Sequence, residues 1–529
     1  MHLAWKRGQG KLALVAAVAA GAVLVACGGG GGGGGTPSVA PPPSPPPVAV
    51  NGPAWLGFGG TSQHSAVSQI ATQDLNNIRW RTPVDMAPQY SAQGYLLIHY
   101  GSPAITTKNT VLVPVKRGAQ GGYVIEARSG ADGSLMWTMT SDWVMPAHRW
   151  APSYNVTLTA GNRVVAPGSG GRVWYRDNAD STTSTSQNTA FYGDAAYSAN
   201  KAAYDANVFV NTPITADSAG NIYFGFSALS GAPGGLKGGI ARIGADGKGS
   251  WVAATTLTQD GAITKAAMNS APALSTDEKT VYVAVNSDAG DKGYLLALDA
   301  ATLAFKAKVL LIDPQTKVAA SVTDDSTASP TIGPDGDVFF GVLESDYAAH
   351  NARGWLLHFD ATLAQSKTPG SFGWDDTASI VPAAMVPGYA GSSTYLITTK
   401  YNNYGRTGSG DSRNKIAVLD PNASQPDLVT ASVPVMKEVL TVMGVTPDPN
   451  FPGGVVEWCI NTAAVDPATK SILVNSEDGF LYRWDLSTNT LSQKIRLTSG
   501  LGESYTPTAI GADGTVYAIN NAVLFAIGR

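Results

Sequence analysis

The chain has 529 residues, with 35 Lys plus Arg against 39 Asp plus Glu, a formal net charge of −4, and only 14 % charged residues. That balance provides no basic patch and excludes nucleic acid as an expected partner. The 60 glycines and 32 prolines lie among many short β-branched and aromatic runs, which argues for an all-β protein of short strands.

Residues 1–26 read as an address, not as fold. Lys6, Arg7 and Lys11 form a cationic start, and Leu12 to Ala26 is an apolar stretch of signal-peptide length, short for a membrane span. It ends Leu24-Val25-Ala26-Cys27, which resembles the bacterial lipobox. The resemblance implies cleavage before Cys27 and acylation of its thiol. With Gly28 rather than Asp next in line, it also implies an outer-membrane address. Residues 27–52 then form a tether, flexible through Gly28 to Gly35 and stiff through Pro41–Pro43 and Pro45–Pro47. Cys459 is the other of the two cysteines. With Cys27 lipidated, the domain 53–529 is expected to contain no disulfide.

From residue 53 onward one phrase recurs about eight times. It opens with a Ser/Thr-Pro entry to a short inner strand: Ser102-Pro103, Thr212-Pro213, Ser329-Pro330, Thr506-Pro507. A tight turn such as Gly333-Pro334-Asp335-Gly336 follows, then a strand apolar on both faces, then a strand that often closes on Asp, as in Gly293 to Asp299. Self-similarity of this kind predicts an all-β, eight-bladed β-propeller of four-stranded antiparallel blades, starting near residues 102, 152, 212, 270, 328, 378, 460 and 506. The last blade has no outer strand of its own. A matching strand at Ile78-Arg79-Trp80-Arg81 (around 78–84) is expected to complete it and close the ring, which removes free sheet edges. Two insertions break the spacing. Residues 177–205 read as a long polar surface loop. Within 431–454, Val435 to Met443 followed by Gly444 reads as a short helix with a glycine C-cap.

Ala127-Arg128-Ser129-Gly130-Ala131-Asp132-Gly133-Ser134-Leu135-Met136-Trp137 resembles the tryptophan-docking repeat of the quinoprotein alcohol dehydrogenase-like (PQQ-like repeat) propellers. Trp55 to Gly60 with Asp74 to Trp80 resembles the lead-in of that superfamily. The resemblance covers roughly 53–529 and implies the fold. It does not choose a function, since the superfamily holds both enzymes and binding proteins. Its enzymes hold pyrroloquinoline quinone in the central funnel with Ca²⁺ on a Glu, an Asn and an Asp. Glu457, Asn461 and Asp376 supply those residue types here. The adjacent cysteine pair found in many members is absent, as is any Cys-x-x-Cys-His haem motif. In anchor and blade count the chain is similar to the propeller lipoproteins of outer-membrane β-barrel assembly, from which the long tether and the insertions depart.

The loop feeding each innermost strand of a propeller opens onto the funnel. Those loops carry His99 in blade 1; His148, Arg149 and Trp150 in blade 2; Asp325 in blade 5; Asp376 in blade 6; Glu457 and Asn461 in blade 7; and Glu503 and Tyr505 in blade 8. A His-Arg pair beside Trp suits a carboxylate or phosphate group, and four acidic loops suit Ca²⁺. No phosphate-loop, zinc-protease or nucleophile-elbow motif occurs. The preferred reading is a monomeric, lipid-anchored scaffold of the cell envelope that binds a protein or small-molecule ligand without catalysis. A periplasmic PQQ- and Ca²⁺-dependent alcohol or sugar dehydrogenase is the alternative. A surface carbohydrate binder using Trp143, Trp150, Trp374 and Trp458 is the third.

Overall fold

Eight antiparallel sheets follow one another along the chain, one for each copy of the phrase. The structure is a computed structural model and describes residues 50–90, 96–148, 150–324, 328–499 and 505–529. Cys27, the signal segment and the tether up to residue 49 lie outside the described residues. In blade 1 the strands Ala104–Ile105, Thr110–Lys116, Tyr123–Ser129 and Leu135–Ser141 pair in that order. The other blades follow this plan, except that in blades 3 and 4 two short strands share the innermost position, Val208–Val210 with Thr215–Ala216 and Ile263–Ala266 with Ala273–Leu274. In blade 5 the fourth position is held only by the single bridges Leu356 to Gly370 and Phe359 to Ser366. The second strand is the buried centre of each sheet. Thr110–Lys116, Val338–Val342 and Val516–Asn520 are buried along their whole length, as sheets packed on both faces require.

The ring closes as the sequence predicts. Asn77–Pro83 pairs with Val523–Gly528, from Asn77 opposite Gly528 to Pro83 opposite Val523, with a bulge at Arg79. The Ser and Thr residues of the inner strands join neighbouring blades. Thr157 donates to Ile214 O, Thr215 to Pro272 O, Thr331 to Ala378 O and Ser379 to Ala463 O, all at 2.5–2.8 Å.

Residues 55–66 do more than lead in. Each inner strand has a free edge whose N–H groups would be costly to bury unpaired. The lead-in coil supplies the acceptors: Trp55 O for Ile105, Leu56 O for Leu158, Ser62 O for Leu274, Gln63 O for Ile332, Ser65 O for Ile380 and Ala66 O for Val465, at 2.8–3.0 Å. The coil thus plugs the axis at the exit end of the inner strands. His64 sits inside it, 1 % exposed, with Nδ1 donating to Pro330 O at 2.7 Å and its ring edge-on to Phe58 at 5.0 Å. Burial pulls its imidazole down to about 4. Gly59 (φ 60°) turns the coil where a Cβ would lie 2.7 Å from His64 Cα, so no larger residue fits.

Both insertions differ from expectation. Residues 177–205 are not a loop. Ser186–Ala190 is the outer strand of blade 2, and Asp194–Ala199 and Lys201–Asn207 are short helices. Tyr192 and Tyr204 stack at 4.2 Å, and Tyr197 and Tyr204 are buried, so aromatic anchors spaced among polar residues fold the segment. Residues 435–443 are not a helix. Pro434–Met443 is a strand paired with Lys415–Pro426. Nine residues give too little helical periodicity to outweigh cross-strand pairing of a run with three valines. No helix among the described residues is long and apolar enough to cross a membrane.

Candidate functional site at the funnel mouth

Strands alternate in direction, so the inner-strand entries and the connections from second to third strands share one end of the ring. Three groups of side chains meet there.

The first is aromatic. His99 stacks on Trp150 at 5.4 Å with 17° between the planes, and Tyr505 stands edge-on to both, at 5.2 Å and 5.9 Å. Blades 1, 2 and 8 therefore converge. Asn269 of blade 4 reaches the same place, its amide nitrogen 3.4 Å from His99 Nδ1 and its oxygen accepting from Ser153 N–H and Oγ. Asn269 has φ 65°, a conformation that Asn tolerates better than most residues.

The second group surrounds Lys400, on the second strand of blade 6 (Tyr395–Tyr401). Its buried ammonium lies 4.0 Å from Asp375 and 5.8 Å from the Tyr505 ring. Asp376 is 1 % exposed and accepts from the Lys400 N–H at 3.2 Å. Burial raises the Asp376 carboxyl well above the usual range; the Lys400 charge opposes this and Asp375 adds to it.

The third group is Glu457, Cys459 and Glu477, whose ligand atoms all lie within 4.8 Å of one another. Cys459 is buried, and its thiol donates to Glu477 Oε2 at 3.2 Å. Tyr404 neighbours the second and third groups. Its phenol is raised well above its ordinary value, first by burial and then by the charges of Glu457, Cys459 and Asp375.

The structure thus brings together His99, Trp150 and Tyr505, and separately places Asp376 beside Lys400. Asn461 is buried, its side-chain oxygen accepting from Thr462 Oγ1 and its backbone carbonyl from Thr377 N–H. His148 is half-buried and bonds locally to Pro146 O at 2.8 Å. Arg149, Asp325 and Glu503 lie outside the described residues. Two of the four rim tryptophans are not on a rim. Trp143 is 4 % exposed and donates to Val210 O, and Trp458 is 1 % exposed in the core between blades 6 and 7. Sequence reasoning missed Lys400, Tyr404 and Glu477. All three lie on or after second strands, and the alternation of strand direction was the signal that places them at this end.

The quinone and Ca²⁺ set does not fit these residues. Ca²⁺ takes six to eight oxygen ligands. Glu457 gathers instead with the Cys459 thiol, a soft donor that a hard cation does not favour, while Asp376 accepts from a backbone N–H and the Asn461 amide oxygen from Thr462.

Neither a protein-family model nor a curated relative matches the sequence. Solved structures do match in fold. A europium-containing methanol dehydrogenase is 10 % identical over 88 % of this chain and 89 % of its own, with a TM-score of 0.53. The quinohemoprotein alcohol dehydrogenase from Comamonas testosteroni is 12 % identical over 91 % and 82 %, with a TM-score of 0.51. BamB from Moraxella catarrhalis is 12 % identical over 85 % and 100 %, with a TM-score of 0.43. At these identities the likeness is one of fold alone, an eight-bladed β-propeller.

Proposed function

We propose that the chain is a lipid-anchored binding propeller of the cell envelope, whose funnel mouth holds a ligand without turning it over. One observation carries the reading: rings from three blades converge at the mouth, while its buried carboxyl Asp376 is held by the Lys400 backbone N–H at 3.2 Å. What the mouth offers a ligand is an aromatic wall of His99, Trp150 and Tyr505 beside the Lys400 ammonium. Such a combination suits a planar or anionic group.

Incubating purified protein with pyrroloquinoline quinone and Ca²⁺, followed by gel filtration and a dye-reduction assay with alcohols and sugars, tests the reading. The expected result is a protein peak free of quinone absorbance and no dye reduction. Retained quinone with dye reduction overturns it in favour of the dehydrogenase alternative, which the fold of the two dehydrogenase structures keeps in view.

The anchor is tested separately. Changing Cys27 to Ser is expected to shift the protein from the membrane fraction to the soluble fraction, read by fractionation and by mass of the N-terminal peptide. Retention on the membrane with an unmodified N-terminus overturns the lipidated cysteine.

A further inference from the structure

Two tryptophans fill equivalent slots between blades. In blade 1 one cross-sheet row runs Ala104, Leu112, Ala127, Trp137. In blade 8 the same row runs Ala509, Tyr517, Ala526, Trp80. Each indole leans onto the turn after the third strand of the next blade. Trp137 donates to Ala179 O at 2.8 Å, and Trp80 donates to Gly130 O at 3.1 Å. The fit is close: a Cβ on Gly133 would lie 2.7 Å from the Trp80 ring.

Blade 2 has the row but not the ring. It runs Thr157, Val165, Tyr175, Gln187. Gln187 is exposed and bonds back to the Tyr175 hydroxyl at 2.8 Å. Where an indole would sit there is a cavity of about 360 Å³, floored by Val165, Val173, Ile222 and Ile243 and bordered by Arg163 and Asn188. Gly247 stands in the blade 3 turn as Gly133 does in blade 1, with φ 79° against 74°; a Cβ there would meet nothing within 4 Å. The volume lies at the lower end of the range for ligand sites, about 300–1,000 Å³.

A second glutamine shows how such a slot is filled from elsewhere. The row of blade 7 ends in Gln493. There the segment around Leu75, bent at that residue, lies against it: Leu75 N–H donates to Gln493 Oε1, Gln493 Nε2 donates to Asp74, and Leu75 is 5 % exposed. So the molecule contains both halves of the expected occupant, an indole in the slot and a backbone N–H on the glutamine.

We propose that the slot between blades 2 and 3 binds a peptide segment of a partner protein, laying a tryptophan side chain over Val173 and Gly247 while Gln187 bonds its backbone. The site is separate from the funnel and independent of what the funnel holds.

The test is fluorine NMR of the full-length protein titrated with a capped alanine peptide bearing one central fluorotryptophan. The peptide signal is expected to broaden and shift saturably. Gln187→Trp, which restores the docking ring, is expected to weaken binding at least about tenfold and to raise the unfolding midpoint. Gly247→Asn, a mild change because Asn tolerates positive φ, is expected to weaken binding similarly without altering the fold. The absence of saturable binding, equal binding by both variants, or binding of free fluoroindole but not of the peptide overturns the proposal.

Discussion

Replacing His64 with alanine is expected to cost about 3 kcal/mol of stability at pH 7.5, the usual scale for removing a buried ring and stranding its hydrogen-bond partner. The ring is 1 % exposed, packs edge-on to Phe58 and donates to Pro330 O, and the coil around it carries the acceptors for six inner strands. The pH dependence gives the sharper test. The folded-state imidazole titrates at about 4, below its ordinary 6.5. Between those values the unfolded chain binds a proton that the folded chain refuses. Stability from the neutral ring is therefore complete above pH 6.5 and is lost as the pH falls toward 4, by about 3 kcal/mol in all. Glu344, buried and raised to about 7, acts with the opposite sign: its contribution is complete below about pH 4.5 and is lost as the pH rises through 7. The difference between wild type and variant removes that background. Urea unfolding at several pH values should show the gap shrinking from about 3 kcal/mol at pH 7.5 to under about 1 kcal/mol at pH 4.5. A gap that does not change with pH would refute the assignment.

The second large effect lies where the ring is fastened. Just after the closing strand, Asp85 forms an ion pair with Lys116 of blade 1 at 2.9 Å, with side chains 0 % and 4 % exposed. Lys116 Nζ also donates to Ala87 O, and the Tyr100 hydroxyl donates to Asp85. Lys116→Met removes one charge and leaves the other buried without its counter-ion, which typically costs about 3–5 kcal/mol. The double change Asp85→Leu, Lys116→Met should recover most of that loss, because burying the pair is itself expensive. Denaturant midpoints of the two variants, with limited proteolysis to report fraying of residues 77–87, measure both. A single variant as stable as wild type would show that the pair does not hold the clasp.

How much of this was legible in the sequence depended on whether the cause was local. The Ser/Thr-Pro entries, the Asp/Gly turns and the doubly apolar second strands each act within a few residues, and they fixed eight blades and the Asn77–Pro83 closure correctly. The run Val435 to Met443 carried only a local pattern, and its partner, Lys415–Pro426, overrode it. The plug was illegible for the opposite reason. Residues 55–66 show no periodicity, because their pattern belongs to the edges of six separate strands. At the mouth, reading only the entry loops found His99, Trp150, Asp376, Glu457 and Tyr505. It passed over Lys400 and Glu477, which approach from the other side of each blade. The tryptophan-docking repeat was visible at Trp137, whereas Trp80 was legible only as part of the lead-in. That Gln187 stands in the same row becomes apparent only once the registers are laid side by side.

The closing strand and the plug also determine the order in which the molecule can be made. The residues that seal the ring and the axis are among the first of the propeller to be synthesised, and their partners include the last. Until Val523–Gly528 has been delivered, Asn77–Pro83 has no edge to pair with, and the coil around His64 has only part of its set of strands. Contacts this distant along the chain form late and slowly. Early blades must wait with one face uncovered, in the partly assembled condition that favours aggregation. The propeller is completed from both ends of its sequence at once, so its folding is an event of the whole chain.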